Sequence, residues 1–506
     1  MTTLKYLLGL DQGTSGTKAY IMDEHGQRIG LGYVPTELIR VQPGWIEQDP
    51  NAVAVGAAEA IGQALRSAHC APADIRAVGI ASQRGTDFVW NARTRQPVAN
   101  AITWQDLRTQ SIIEELEAWS KARERRQRLG YFPGHWCASM HLAWRAQHQP
   151  EFQAALRSGD LRIGMSAAWL VAALGQPCAH VHDYSLVQKT GLWDFRRDAY
   201  WAEWIDRLGL NALTSALPQP VPTLHHFGTL TISDGSQSAK VPVVAMIGDQ
   251  QAALFGHGCR AAGQAECTHG TATFVNVVAG HTPPDLDSLN VYHAWSLPKP
   301  ELTHTYCLEA DTTVTGAAVR WMLERGHFFE NENEMDALAA SVADSGGVIF
   351  VPAFTGLNVP YNDHFARATI FGMALGTDRA HIARAFLESI GFQVRAILDT
   401  IDAQTGLRVK QLSIGGGLSN SDMACQIQSD LIGIPIVRPT ESETTARGAA
   451  LFAGLSAGVW ASLDDLPPLP AGSTVFEPRI ASDQREAAYA RWQRAVQHVR
   501  DIGENL

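Results

Sequence analysis

Twice in this chain an apolar run ends in a glycine and threonine turn and resumes as a second apolar run. The first copy, "LLGLDQGTSGTKAYIMDEHG", covers Leu7 to Gly26, and the second, "AECTHGTATFVNVVAG", begins at Ala265. Leu7, Leu8 and Leu10 read as a buried strand and Ala19, Tyr20, Ile21 and Met22 as a second, so the segment between them is a turn. Asp11 therefore stands at a strand end, facing that turn. Gly13 and Gly16 permit tight backbone, while Thr14, Ser15 and Thr17 supply hydroxyls and unpaired N–H groups, which is what a phosphate requires of a protein. A polar hairpin without a ligand shares this local pattern.

The repeat also places a boundary. Near "LFGHGCRAAGQ" glycines interrupt the pattern, which divides the 506 residues into 1–256 and 257–506. Two domains of about 250 residues suit a chain too long for one ordinary core. The 45% apolar and 18% charged content is that of a globular chain, and the net charge of -11 argues against a general binder of nucleic acid or anionic membrane. The N-terminal apolar run is too short for a signal peptide and no stretch reaches about 18 uninterrupted apolar residues, so a soluble cytoplasmic protein is expected. Seven cysteines without a C-x-x-C pair suit reduced thiols. In a strand, Cys178, His180 and His182 of "CAHVHD" would share one face as potential metal ligands. No fourth ligand is evident, and ordinary half-buried side chains give the same pattern.

Asp49 and Pro50 open a helix in "EQDPNAVAVGAAEAIGQALRSAH" by supplying an N-cap and a first-turn proline. "IRAVGIASQR" and "VPVVAMIGD" read as buried strands whose polar ends, Gln83, Arg84 and Asp249, lie at the carboxyl side, where ligands of open α/β sheets collect. The second half offers a helix around "TTVTGAAVRWMLERG", a strand at "GGVIFVPAF", a long helix within "DRAHIARAFLESIGFQVRAILDTI" and a strand, glycine turn and helix in "LSIGGGLSNSDMACQIQSDLIG". No linker separates the halves, so they are expected to meet over a cleft. Three glycine turns at strand ends suggest a nucleotide held there. A Walker A loop is excluded, because the chain has no Gly-Lys dipeptide, and the Rossmann fingerprint is missing.

"LGLDQGTSGTK", "WIEQDP", "SQRGTDFVW", "AITWQDLRTQ", "IGDQQAALFG", "VPAFTGL", "GGGLSNS" and "ARGAALFAG" run in this order from about Leu7 to about Trp460. Together they resemble the FGGY carbohydrate kinases, and the glycerol kinases within them. The resemblance implies an α/β fold of two ribonuclease-H-like (actin-like ATPase) domains flanking a catalytic cleft. It implies ATP and Mg²⁺ as cofactors, a small polyol or sugar as acceptor, and a homodimer or homotetramer. By resemblance Asp11 would coordinate Mg²⁺ together with Asp249, and Gly13, Thr14, Ser15 and Lys18 would contact the ATP phosphates. Gly270 and Thr271 resemble the second phosphate turn, Gly316 the ribose and phosphate neighbourhood, and Gly416, Gly417 and Ser421 the adenosine turn. Asp249 matches the catalytic base, although a lone Asp before a helix also reads as an N-cap.

Arg84, Trp104, Gln250 and Phe274 match acceptor-contacting positions, with Asp249 beside them. Here the chain departs from the glycerol kinases. The glutamate expected after Arg84 is Gly85, the expected tyrosine aligns with Trp136, the lysine five residues later with His141, and a glutamine near the ribose glycine is Arg320. Gly85 is expected to leave space and the lost acceptors to disfavour glycerol, so that a four- or five-carbon polyol or ketose, such as erythritol, xylulose or ribulose, fits better. "QR" nevertheless differs from the "QMH" of xylulose kinases. A non-metabolic actin-like ATPase and a silent sugar sensor are the rival readings.

Overall fold

The computed structural model describes residues 6–117, 121–286, 288–298 and 301–503. The opening hairpin forms as the apolar pattern requires: β1 (Tyr6–Gln12) pairs antiparallel with β2 (Gly16–Met22), which pairs with β3 (Arg28–Pro35). Helix α1 (Pro50–Ala68) begins where Asp49 accepts a hydrogen bond from the Asn51 N–H, and buries Val53, Ala57, Ala60, Ile61, Ala64 and Leu65 at helical spacing. Strand β4 (Ile75–Ser82) lies parallel to β1. Beyond it come β5 (Gly175–Pro177), the short helix α2 (Tyr184–Gln188), β6 (Leu224–Ser233), β7 (Ser238–Gly248) and α3 (Asp249–Gly256). The seven strands of this sheet run in the order β5, β6, β7, β4, β1, β2, β3.

The second half repeats the plan. Strands β8 (Ala265–His269), β9 (Thr273–Gly280), β10 (Asn290–Leu297) and β11 (Thr303–Asp311) are followed by α4 (Gly316–Glu324) and the long α5 (Arg379–Thr405). Then come β12 (Leu412–Gly416), α6 (Asp422–Ile432), β13 (Ile436–Arg438), α7 (Thr444–Ser456) and β14 (Thr474–Phe476). This sheet has the order β10, β11, β9, β8, β12, β13, β14. Each sheet thus has an antiparallel hairpin, β1–β2 or β8–β9, whose first strand lies parallel to a strand on its other side, β4 or β12.

One element crosses back. Helix α7 lies in sequence between β13 and β14 of the second sheet but packs on β1 and β4 of the first. The approach is close enough that a Cβ on Gly9 would stand 2.0 Å from the Ala446 carbonyl oxygen, and one on Gly79 2.0 Å from that of Ala449. Leu7, Tyr20, Ala77, Ala446, Ala449 and Phe452 accordingly share one apolar core with Trp295 and Cys307 of the second sheet. Carbonyl-on-glycine contact seats this helix against the strands that carry the first hairpin.

Candidate active site

The first hairpin turn is closed by its own backbone: the Gly13 N–H donates to the Gly16 carbonyl at 2.9 Å, and the Thr36 N–H to Ser15 at 3.0 Å. Asp11 and Lys18 stand directly opposite each other in the β1–β2 register, so both project from one face. Lys18 Nζ lies 2.6 Å from Glu443 Oε2, at the N-cap of α7. The Asp11 carboxyl is pushed up to about 7, chiefly by burial, with Lys18 opposing the rise and Asp249 and Glu443 adding to it. Mg²⁺ is commonly held by one or two carboxylates plus substrate phosphates, so Asp11 and Asp249, close enough for the second to raise the first, fit it.

A net of amides ties this turn to Gln83 and Trp104. Trp104 Nε1 donates to Thr14 Oγ1 at 2.8 Å, and Thr14 Oγ1 to Gln83 Oε1 at 3.2 Å. Gln83 Nε2 donates to Gln12 and Gln48, while Gln48 Nε2 returns to the Thr14 carbonyl at 2.8 Å.

The second hairpin closes in the same manner, with the Gly270 N–H donating to the Ala272 carbonyl at 2.9 Å. The start of α4 holds its outer side, Gly316 N–H donating to the Gly270 carbonyl at 3.1 Å and Thr315 N–H to that of Thr271 at 2.9 Å. Gly416 ends β12, where φ is +85° and a Cβ would meet the His269 carbonyl oxygen at 2.2 Å. Gly417 borders open space, and Ser421 caps α6 by accepting from the Ala424 N–H. Arg320 is exposed on α4.

Asp249 is the first residue of α3, after the N-cap Gly248, so the simple capping alternative does not describe it. Its Oδ1 accepts from the Gln250 N–H at 2.8 Å and from Arg84 Nε at 3.0 Å. Burial raises its pKa against the lowering effects of Arg84 and the Gln250 hydrogen bond. Arg84 Nη2 lies 2.7 Å from Glu309 Oε2 of β11. Gln250 Oε1 accepts from Asn276 Nδ2 at 3.3 Å. The β9–β11 register orders this wall in rows. Phe274 stands opposite Asp311 beside the hairpin turn, Asn276 opposite Glu309 one step on, and Val278 opposite Cys307, with Tyr292 of β10 on its other side, a step further. Residues opposite one another or two apart share a face, so these side chains form one surface toward Arg84. Asp311 accepts from Asn358 Nδ2 at 2.7 Å and is pushed up to about 6, chiefly by burial.

Glu309, Asp311, Lys189, Tyr131 and Tyr292 escaped the sequence reading. Alternation of carboxylates in "CLEAD" was a signal for the first two; nothing local marks Lys189 or the tyrosines, whose place depends on elements far apart in the chain.

One expectation is corrected, and His141 and residues 178–183 are placed. Gly85 vacates no volume: its φ is +80°, and a Cβ there would stand 2.1 Å from the Trp136 carbonyl oxygen. The loop carrying Trp136 packs here through its backbone, so it is that carbonyl that abuts Gly85, while the half-exposed indole packs edge-on to His135 and against Gly134. His141 is buried with Asp87, its Nδ1 3.5 Å from Asp87 Oδ1, beside the Arg145–Asp87 ion pair. Cys178, His180 and His182 do not gather. Cys178 Sγ donates to the His226 carbonyl, His180 Nε2 lies 2.9 Å from the Ala216 carbonyl oxygen, and His182 Nε2 accepts from the Met165 N–H. Only Val181–Asp183 is strand, and among the described residues no group of three or more His, Cys, Asp or Glu could hold a metal.

Duplicated sheets whose hairpin turns flank a carboxylate on a helix N-terminus define a two-domain phosphotransferase of actin-like ATPase architecture. The chain belongs to the FGGY family of carbohydrate kinases: residues 6–256 match its N-terminal domain and residues 265–457 its C-terminal domain. It is therefore an enzyme that transfers a phosphoryl group to an alcohol, which sets aside the non-metabolic ATPase. Glycerol kinase of Bordetella parapertussis is 37% identical over 499 residues, 98% of this chain and 97% of that one. The crystal structure of Plasmodium falciparum glycerol kinase with ADP superimposes with a TM-score of 0.89 at 27% identity, covering 98% of each chain. Xylulose kinase from Rhodospirillum rubrum shares the fold, with a TM-score of 0.85 at 21% identity over 99% of this chain and 100% of that one. No helix among the described residues is long and apolar enough to cross a membrane.

Proposed function

We propose that the chain transfers the γ-phosphoryl group of ATP to a terminal hydroxyl of a small polyol or ketose, with Asp249 as general base. The observation that carries this reading is the Asp249 carboxylate, held by Arg84 at 3.0 Å and by the Gln250 N–H at 2.8 Å. A carboxylate fixed on one oxygen keeps the other for the acceptor proton. Its position at the start of α3 directs the positive end of that helix toward the transferred group. The N–H groups and hydroxyls of Gly13, Thr14, Ser15, Gly270 and Thr271, with Lys18, would bind the phosphates, and Gly316, Gly416, Gly417 and Ser421 would border the nucleoside. Asp11 and Asp249 would hold Mg²⁺, which supplies charge neutralisation on the phosphate oxygens. Arg84, Trp104, Gln250 and Phe274 would seat the acceptor, and Trp136 would contribute its backbone.

The test is Asp249→Asn. Turnover is expected to fall by about 10²–10⁴-fold, with nucleotide affinity by calorimetry unchanged. Loss of nucleotide binding with turnover intact would refute the assignment. Acceptor-stimulated ADP release separates a kinase from a silent sugar sensor, which binds polyols without turnover.

A further inference from the structure

Lys189 caps the C-terminus of α2 and is 6% exposed, wedged between two aromatic rings. Its Nζ lies 4.9 Å from the centroid of Tyr131 and 4.4 Å from that of Tyr292. Among the described residues its one hydrogen bond goes to Tyr292 Oη, at 3.1 Å. An ammonium has three donors, and leaving buried donors unmet is costly, so an acceptor is missing from this arrangement. The setting pulls Lys189 down to about 8, first through burial and then through the charge of Arg84. Arg84 shows the same want. It is 9% exposed, its Nε and Nη2 are taken by Asp249 and Glu309, and its Nη1 has no partner among the described residues. Its guanidinium carbon lies 5.5 Å from the centroid of the same Tyr292 ring.

The rows of the second sheet give this pair of cations a direction. Phe274 and Asp311 adjoin the phosphate-type hairpin, Glu309 and Arg84 come next, and Tyr292 with Lys189 lie one row beyond. A row is a step of about 6.8 Å along a strand. Lys189 thus stands on the far side of Arg84 from the transferred phosphoryl group. Asp249, Glu309 and Asp311 outnumber the two cations, which disfavours an anionic acceptor here.

We infer that Lys189 is a specificity-determining residue of the acceptor pocket, donating with Arg84 Nη1 to a hydroxyl or carbonyl oxygen on a carbon beyond the three of a glycerol-sized chain. The acceptor class is then a neutral polyol or ketose of four or more carbons. This deepens the kinase reading and rests on it.

Lys189→Met keeps length and burial but removes the donors, whereas Lys189→Gln keeps an N–H. The measurement is ADP release with glycerol, erythritol, ribitol, xylulose, ribulose and gluconate, with nucleotide affinity as the check on folding. The longer neutral acceptor is expected to lose about 10–100-fold in kcat/KM in the Met variant, as for a hydrogen bond to a charged donor, mainly through KM. Glycerol is expected to lose clearly less than the longer acceptor, and the Gln variant recovers part of the difference. An equal loss on every acceptor, no loss on any, or a wild-type preference for gluconate that the Met variant abolishes would overturn the inference. If wild type releases ADP with no acceptor, the kinase reading fails instead. Calorimetric binding of the same acceptors to wild type and Lys189→Met then still decides the role of Lys189 by the same pattern.

Discussion

Arg84 and Glu309 join the two halves of the chain by a buried ion pair of 2.7 Å, the arginine following β4 of the first sheet and the glutamate lying on β11 of the second. The same guanidinium holds Asp249, so the junction of the domains and the alignment of the proposed base are one structure. Removing Glu309 leaves the cation with only half its compensation. Glu309→Ala is expected to cost about 3 kcal/mol, the lower end for breaking a buried pair, because Asp249 remains. Urea denaturation measures this, and the double variant Arg84→Met, Glu309→Leu should lose less than the sum of the two single losses, the remainder reflecting Asp249 left without its cation. Simple addition of the two single effects would show that the pair is not coupled.

Gly85→Glu separates the sequence view from the structural one. Read from the alignment, it restores a carboxylate that glycerol kinases carry. The structure places a carbonyl oxygen 2.1 Å from the new Cβ, at a φ of +80°. Left-handed backbone costs a non-glycine residue about 1–2 kcal/mol, before any displacement of the Trp136 loop. The expected result is lower thermal stability and lower turnover on every acceptor. A stable variant with improved glycerol turnover would restore the simpler view.

Lys18 is held by Glu443 at 2.6 Å, and a nucleotide phosphate would compete for it. Lys18→Met should weaken ATP binding by about 10–100-fold, as for a charged hydrogen bond. Glu443→Gln should shift affinity the opposite way by releasing the ammonium. Calorimetry reads both, and weaker binding in both variants would mean that the pair acts as a unit.

Glu266 is a buried carboxyl pushed up to about 7, first by burial, while hydrogen bonds from Asn276 and Thr268 oppose the shift. The folded chain keeps this proton where the unfolded chain releases it near 4.5. Its contribution to stability is therefore complete at acid pH and is lost as pH rises through that window. Buried histidines pulled down to about 3, such as His182 and His257, act in the opposite sense, so the total curve mixes both. Glu266→Gln isolates the carboxyl. Its stability relative to wild type should rise from pH 4.5 to pH 7 in urea titrations at stepped pH. A constant difference across that range would contradict the assignment.

How much was legible depended on whether the physics was local. The two hairpins, the Asp49 cap of α1 and the helix at Asp249 follow from strand alternation, glycine turns and capping, which act over a few residues, and all stand where the sequence placed them. The family too was readable, since eight motifs in order carry it. What sits beside Gly85, which oxygen Arg84 meets on the second sheet and why Lys189 lacks acceptors were not local questions. Each is decided by segments brought together from distant parts of the chain: a carbonyl from Trp136, a carboxylate from β11, a ring from β10. The sequence determined the hairpins because short-range sterics and hydrogen bonding encode them, and the catalytic class through the ordered motifs that mark the family. Tertiary structure alone decided what surrounds Gly85, Arg84 and Lys189, because close packing fixes which atom fills a given space and leaves no trace in the residue that yields it.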